Sequence, residues 1–87
     1  MASNELKPLL VVEDNPGIQK QLKWSFDGYQ VYLAGDRESA VKQLRSHDFP
    51  VVTLDLGLPP DPANASEGLA ALREILDVSP HTKVIVV

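Results

Sequence analysis

Four short apolar runs punctuate the chain, with amphipathic stretches between them. The first, Leu9-Leu10-Val11-Val12, stops abruptly at Glu13-Asp14. It is too short for a helix and predicts a buried strand. Asn15-Pro16 then reads as a helix start: Asn caps free amides, and Pro suits the first helical position, where its missing N–H costs nothing. Ile18, Leu22 and Phe26 follow at i, i+4, i+8 as one apolar stripe, with Lys20 and Lys23 off it. Asp27-Gly28 breaks this helix, and Gln30 to Leu33 predicts a second strand.

Gly35-Asp36 opens a second helix with Asp36 as its cap and Ala40, Val41 and Leu44 on its buried face. Val51 to Leu54 is a third strand, again ending at an acid, Asp55. A loop from Gly57 to Gly68 carries Pro59, Pro60 and Pro62, with a polar surface tip over 61–67. The third helix shows Leu69, Leu72, Ile75 and Leu76 on one face and stops near Ser79-Pro80. Val84 to Val87 is a fourth strand.

The order is therefore βαβαβαβ. Strands alternating with helices imply an α/β fold, a doubly wound parallel sheet of flavodoxin-like type with right-handed crossovers. With 87 residues there is room for one small domain, read as a leader over 1–8 and a domain over 9–87. Hydrophobic residues make up 44% of the chain, enough for a core but a modest one.

Charge and composition narrow the function. Eight basic residues are scattered among twelve acidic ones, for a net charge of −4. A nucleic-acid backbone needs clustered Lys and Arg, so direct nucleic-acid binding by this segment is not expected. No secretory signal and no membrane-spanning run is present, and there is no cysteine. These features predict a cytoplasmic protein.

The chemistry lies in the acids. In open α/β sheets, ligands gather beyond the carboxyl ends of the strands, at the point where the strand order reverses. Glu13 and Asp14 end the first strand and Asp55 the third, and those strands are neighbours in the flavodoxin-like order. Three converging carboxylates repel one another and suit a hard divalent cation such as Mg²⁺. A carboxylate beside such a cation is also a competent phosphoryl acceptor. Taken singly, Asp14 and Asn15 have a plainer reading as helix caps, and Asp55 as a turn former. Their joint placement favours the metal site.

The stretch Leu10-Val11-Val12-Glu13-Asp14-Asn15 resembles the first strand and acidic pair of bacterial response-regulator receiver domains. Leu54-Asp55-Leu56-Gly57-Leu58-Pro59 resembles their phosphoacceptor strand and following turn, and Gly68 the glycine at the start of their third helix. The resemblance implies that Asp55 is the phosphoacceptor, Asp14 a direct Mg²⁺ ligand and Glu13 the holder of metal-bound water. It also implies that Gly57 offers a backbone carbonyl to the metal. The turn from Pro59 to Glu67 resembles an insertion in some regulators tied to σ54-type transcriptional activators.

The family's Ser or Thr after the fourth strand and Lys after the fifth fall beyond Val87. Lys83 precedes the fourth strand and is not that lysine. Val87 is expected to be a cut inside the sheet rather than a natural end.

The resemblance implies a phosphoacceptor module of a two-component phosphorelay rather than an enzyme in its own right. Its expected partners are a sensor histidine kinase or phosphotransfer protein and an output domain, expected to be transcriptional. Two other functions compete. One is a receiver-like interaction module that no longer uses phosphate; an apolar edge at the fourth strand would favour a homodimer or segment-swapped oligomer. The other is a Mg²⁺-dependent phosphoryl-handling enzyme of Toprim type, which usually needs an Asp-x-Asp pair where this chain has Asp55-Leu56-Gly57. His47 and His81, near helix ends, are expected to make dipole contacts only. Trp24 is expected to be a partly exposed packing residue.

Overall fold

A computed structural model describes residues 6–60 and 64–87. The elements run β1 (Lys7–Val12), α1 (Pro16–Ser25), β2 (Tyr29–Ala34), α2 (Arg37–Ser46), β3 (Val51–Leu54), α3 (Ser66–Val78) and β4 (Lys83–Val86). All four strands are parallel in one sheet of order β2-β1-β3-β4. This is the flavodoxin-like α/β arrangement that the strand–helix alternation predicts.

Handedness explains where the helices lie. The step from β1 to β2 runs one way across the sheet, and the steps from β2 to β3 and β3 to β4 run the other. Right-handed crossovers therefore put α1 on one face and α2 with α3 on the opposite face. Strand alternation divides the core in the same way. Leu10, Val12, Val52 and Leu54 join Ala40, Leu44, Ala71 and Ile75 in one cluster under α2 and α3. Leu9, Val11 and Thr53 alternate with them, are just as fully buried, and point to the α1 face.

The helix starts form as their residues dictate. Asn15 Oδ1 accepts from the amides of Gly17 (2.9 Å) and Ile18 (3.2 Å), with Pro16 opening the helix. Asp36 makes a reciprocal capping box with Ser39. Strand ends lie slightly outside the expected spans: Lys7 and Pro8 extend β1, and Tyr29 and Ala34 extend β2. Residues 1–5 of the expected leader lie outside the described residues, as do residues 61–63 of the loop tip.

Two expectations need correction. In α3 the fully buried positions are Gly68, Ala71 and Ile75, with Leu72 and Val78 partly covered, whereas Leu69 and Leu76 are 52% and 45% exposed. Small residues face inward because the helix approaches so closely. A Cβ on Gly68 would lie 2.2 Å from both Cα and the carbonyl oxygen of Leu56. Next, Glu67 is not part of a polar loop tip, since α3 begins at Ser66. The stripe on α1 is only half covered, as an incomplete domain would leave it: the helix has no fully buried residue, and Ile18 is 42% exposed.

Two core residues, Leu58 and Phe49, sit outside any regular element and are fully buried. Burial of each such side chain contributes roughly 1.5–3 kcal/mol. Phe49 packs edge-on to Tyr32, with centroids 5.2 Å apart. The His47 ring lies 4.8 Å from that of Tyr32, so this histidine caps α2 and also joins an aromatic group. Trp24 is 77% exposed.

Candidate functional site

Two of the acids at the sheet's carboxyl edge are held by the backbone of a neighbouring strand. The Glu13 amide donates to the Ala34 carbonyl (2.9 Å) and the Asp55 amide to the Val12 carbonyl (3.0 Å), so both acids continue the ladders of β1 with β2 and β3. Because β1 and β3 are adjacent, acids 42 residues apart at their ends (55 − 13) come together. Glu13, Asp14 and Asp55 each offer a carboxylate oxygen, and these oxygens lie within 4.8 Å of one another. The convergence expected from the sequence is thus present.

The three differ in environment. Glu13 is buried, Asp55 half-buried and Asp14 exposed. Burial pushes the Glu13 carboxyl above its ordinary range, and the neighbouring Asp55 and Asp14 carboxylates push it the same way. The Asn15 amide, donating to Glu13 Oε2 at 3.2 Å, opposes the shift. The Gln19 side chain donates to the Glu13 carbonyl and ties α1 to the end of β1.

The turn after β3 orients Asp55. The Gly57 amide donates to Asp55 Oδ1 at 3.0 Å, closing a tight turn around the carboxylate. Gly57 therefore lies at the site, where it acts as amide donor to Asp55. The turn is in turn backed by α3 through the Leu56–Gly68 approach. No compensating cation lies among the acids: both ion pairs among the described residues are made by Arg37, with Glu67 and Glu74.

The donor set fits a hard divalent cation. All three side chains supply oxygen, they carry surplus negative charge, and one of them is exposed so that water retains access. One feature of the site was not legible in sequence: the hold of Gly57 on Asp55 is an amide interaction, to which side-chain patterns are blind.

The sequence profile described as "Response regulator receiver domain" matches residues 9–87. The chain belongs to this family. A comparison with curated protein sequences finds no match. Solved structures agree on the fold. A response regulator from Burkholderia pseudomallei, with a phosphorylated aspartic acid, a calcium ion and citrate, superposes with a TM-score of 0.81 at 28% identity, over 92% of this chain and 45% of its own. The response regulator TrrA from Thermotoga maritima, in complex with Mg²⁺-BeF, gives 0.81 at 31% identity, over 93% of this chain and 68% of its own. The receiver domain of a sensor histidine kinase from Pseudomonas aeruginosa, with a magnesium ion in its active-site cleft, gives 0.82 at 27%, over 94% and 66%. The chain therefore spans about half to two thirds of the length of these neighbours. No helix among the described residues is long and apolar enough to cross a membrane.

Proposed function

We propose that this receiver domain accepts a phosphoryl group on Asp55 from a histidine kinase or phosphotransfer protein, in a Mg²⁺-dependent reaction, and so regulates an output domain. The observation that carries the reading is the convergence of Glu13, Asp14 and Asp55 at the ends of adjacent strands. Receiver neighbours that hold a phosphorylated aspartic acid, Mg²⁺-BeF or a magnesium ion support it.

Asp14 and Asp55 would hold the cation directly and Glu13 its coordinated water, with the Gly57 carbonyl as a further ligand. When bound, the cation neutralises charge on the transferring phosphoryl group. The remaining work belongs to the chain. The Gly57 amide fixes Asp55 through Oδ1 and leaves the second carboxylate oxygen as nucleophile. That oxygen forms a bond to phosphorus as the bond from phosphorus to the donor's nitrogen or oxygen breaks, and the leaving group keeps the electron pair. Glu13 supplies negative charge that is costly to leave unpaired, which favours cation binding.

Such a module is a phosphoprotein of signal transduction rather than a separate enzyme, and we place it in the cytoplasm with its kinase. We further propose a transcriptional output of the σ54-activator kind, supported by the resemblance of the turn from Pro59 to Glu67 to the insertion in such regulators. A Toprim-type enzyme is disfavoured by family membership and by Leu56-Gly57 in place of a second acid.

The test is labelling by acetyl phosphate, followed by intact mass. We expect a phosphoryl adduct that requires Mg²⁺ and is lost in Asp55→Asn. An unlabelled wild type, or a label that survives Asp55→Asn, would overturn the reading and leave an interaction module as the better account.

A further inference from the structure

We propose that Arg37 is a positioning residue: it holds the first turn of α3 against the Leu56-Gly57 turn and thereby keeps the Asp55 carboxylate in place. The proposal rests on the reading of Asp55 as phosphoacceptor and adds to it a residue from α2, well removed in sequence from the acids.

The chain of contacts is short. Arg37 is the first residue of α2, directly after the Asp36–Ser39 capping box that fixes the helix start. Its guanidinium spans two carboxylates of α3: Nε donates to Glu67 Oε1 at 2.6 Å and Nη1 to Glu74 Oε1 at 2.9 Å. Glu67 and Glu74 are seven residues apart, so they lie on one helical face two turns apart. A planar guanidinium with several donors suits this bridging role, whereas an ammonium is a single point charge.

Ala65 occupies the N-cap position of α3 and makes no side-chain cap, while Asn64 Oδ1 accepts from the Ser66 amide at 3.2 Å. Arg37 adds a lateral hold on this turn, through Glu67. The next residue is Gly68, whose backbone meets that of Leu56 so closely that a Cβ would lie 2.2 Å from Leu56 Cα. Leu56 in turn separates Asp55 from Gly57, the residue whose amide holds Asp55 Oδ1. Backbone against backbone leaves little slack, so displacement of the first turn of α3 passes to the turn around Asp55.

Exposure separates positioning from bulk stability. The Arg37 side chain is 42% exposed and that of Glu67 19%, and ion pairs open to solvent on one side contribute little to global stability. Variants of the pair should therefore fold. Their effect should be concentrated at the Asp55 turn.

The experiment measures amide hydrogen exchange by NMR at Gly57 and, as an internal control, at Val11 in the central strand. It compares wild type, Arg37→Gln, Glu67→Gln and the double variant, and follows acetyl phosphate labelling in parallel. In Arg37→Gln we expect Gly57 exchange to rise about two- to fivefold, the size of effect that exposed ion pairs carry, with Val11 unchanged. Labelling should slow by a similar factor. Glu67→Gln should reproduce both effects, and the double variant should add nothing.

Unchanged Gly57 exchange, or a parallel rise at Gly57 and Val11, would overturn the proposal while leaving the acceptor reading intact. A wild type that takes no label, but whose Gly57 exchange responds to Arg37→Gln alone, would overturn the acceptor reading and uphold the hold on the turn.

Discussion

Replacing Asp55 by Asn removes one of three carboxylates whose ligand oxygens lie within 4.8 Å of one another. Two unit charges at 4.8 Å repel by about 0.9 kcal/mol in bulk water and about 3.5 kcal/mol at an effective dielectric of about 20. Asp55 takes part in two such pairs, with Glu13 and with Asp14. Exposure of Asp14 and screening by salt reduce the sum, so relief of roughly 1–3 kcal/mol is expected. Asn keeps an acceptor oxygen for the Gly57 amide, so the turn itself is preserved. A domain of this size shifts its Tm by about 4–8 °C per kcal/mol. Without divalent cation, Asp55→Asn should thus melt about 4–24 °C above wild type. Mg²⁺ should reverse the order of benefit. A ligand that binds only the folded state adds about 2.7 kcal/mol at a hundredfold excess over Kd. Wild type should gain most of this and the variant little. The assay is circular dichroism melting in chelator and in excess Mg²⁺, at mildly alkaline pH because burial pushes the Glu13 carboxyl upward. An Asp55→Asn chain no more stable than wild type in chelator, with the same response to Mg²⁺, would refute the idea that these acids form one electrostatic unit.

Gly68→Ala places a Cβ 2.2 Å from the Leu56 backbone, and overpacking of this kind should cost about 1–3 kcal/mol in urea denaturation and slow Asp55 labelling as well. Asp36→Ala removes the capping box of α2 and should cost about 0.5–2 kcal/mol by the same measurement. Hydrogen bonds from Ser39 hold the Asp36 carboxyl below its ordinary range, so the folded state binds its proton less readily than the unfolded chain. Its contribution is complete above the ordinary Asp range and lost as pH falls through the lowered value, so the gap between wild type and Asp36→Ala should close in acid. At the sheet edge, β4 exposes Ile85 by 45% and Val86 by 48%. We expect concentration-dependent self-association of this chain in sedimentation velocity, abolished by Ile85→Lys; a monomer at all concentrations would remove the edge as an interface.

The sheet and its order were legible because the strands are short apolar runs separated by amphipathic stretches, and because handedness leaves few ways to connect such runs. The acids were legible because their place at strand ends is a sequence property, and strand adjacency follows from topology. Helix faces were less so. Periodicity counts large apolar residues, so it favoured Leu69 and Leu76 over Gly68 and Ala71 in α3, where close backbone approach selects small side chains. Phe49 and Leu58 escaped for a different reason: they enter the core from turns, where no period exists to mark them. Arg37 escaped because its partners lie 30 and 37 residues away, on another helix.

Those unlegible contacts are the ones that turn a set of acids into an oriented site. Topology alone delivers Asp55 to the neighbourhood of Glu13 and Asp14, since any residue following β3 would arrive there. It does not aim the carboxylate. Aim comes from the Gly57 amide, and the Gly57 turn is backed by Gly68, whose missing side chain admits α3 to within contact of Leu56. The division has a physical basis. Strand ends are positioned by ladder hydrogen bonds shared across the sheet, and these survive most side-chain changes. A turn is positioned by a few local contacts and is correspondingly easy to move. Substitutions at Gly57, Gly68 or Arg37 should therefore alter what Asp55 does.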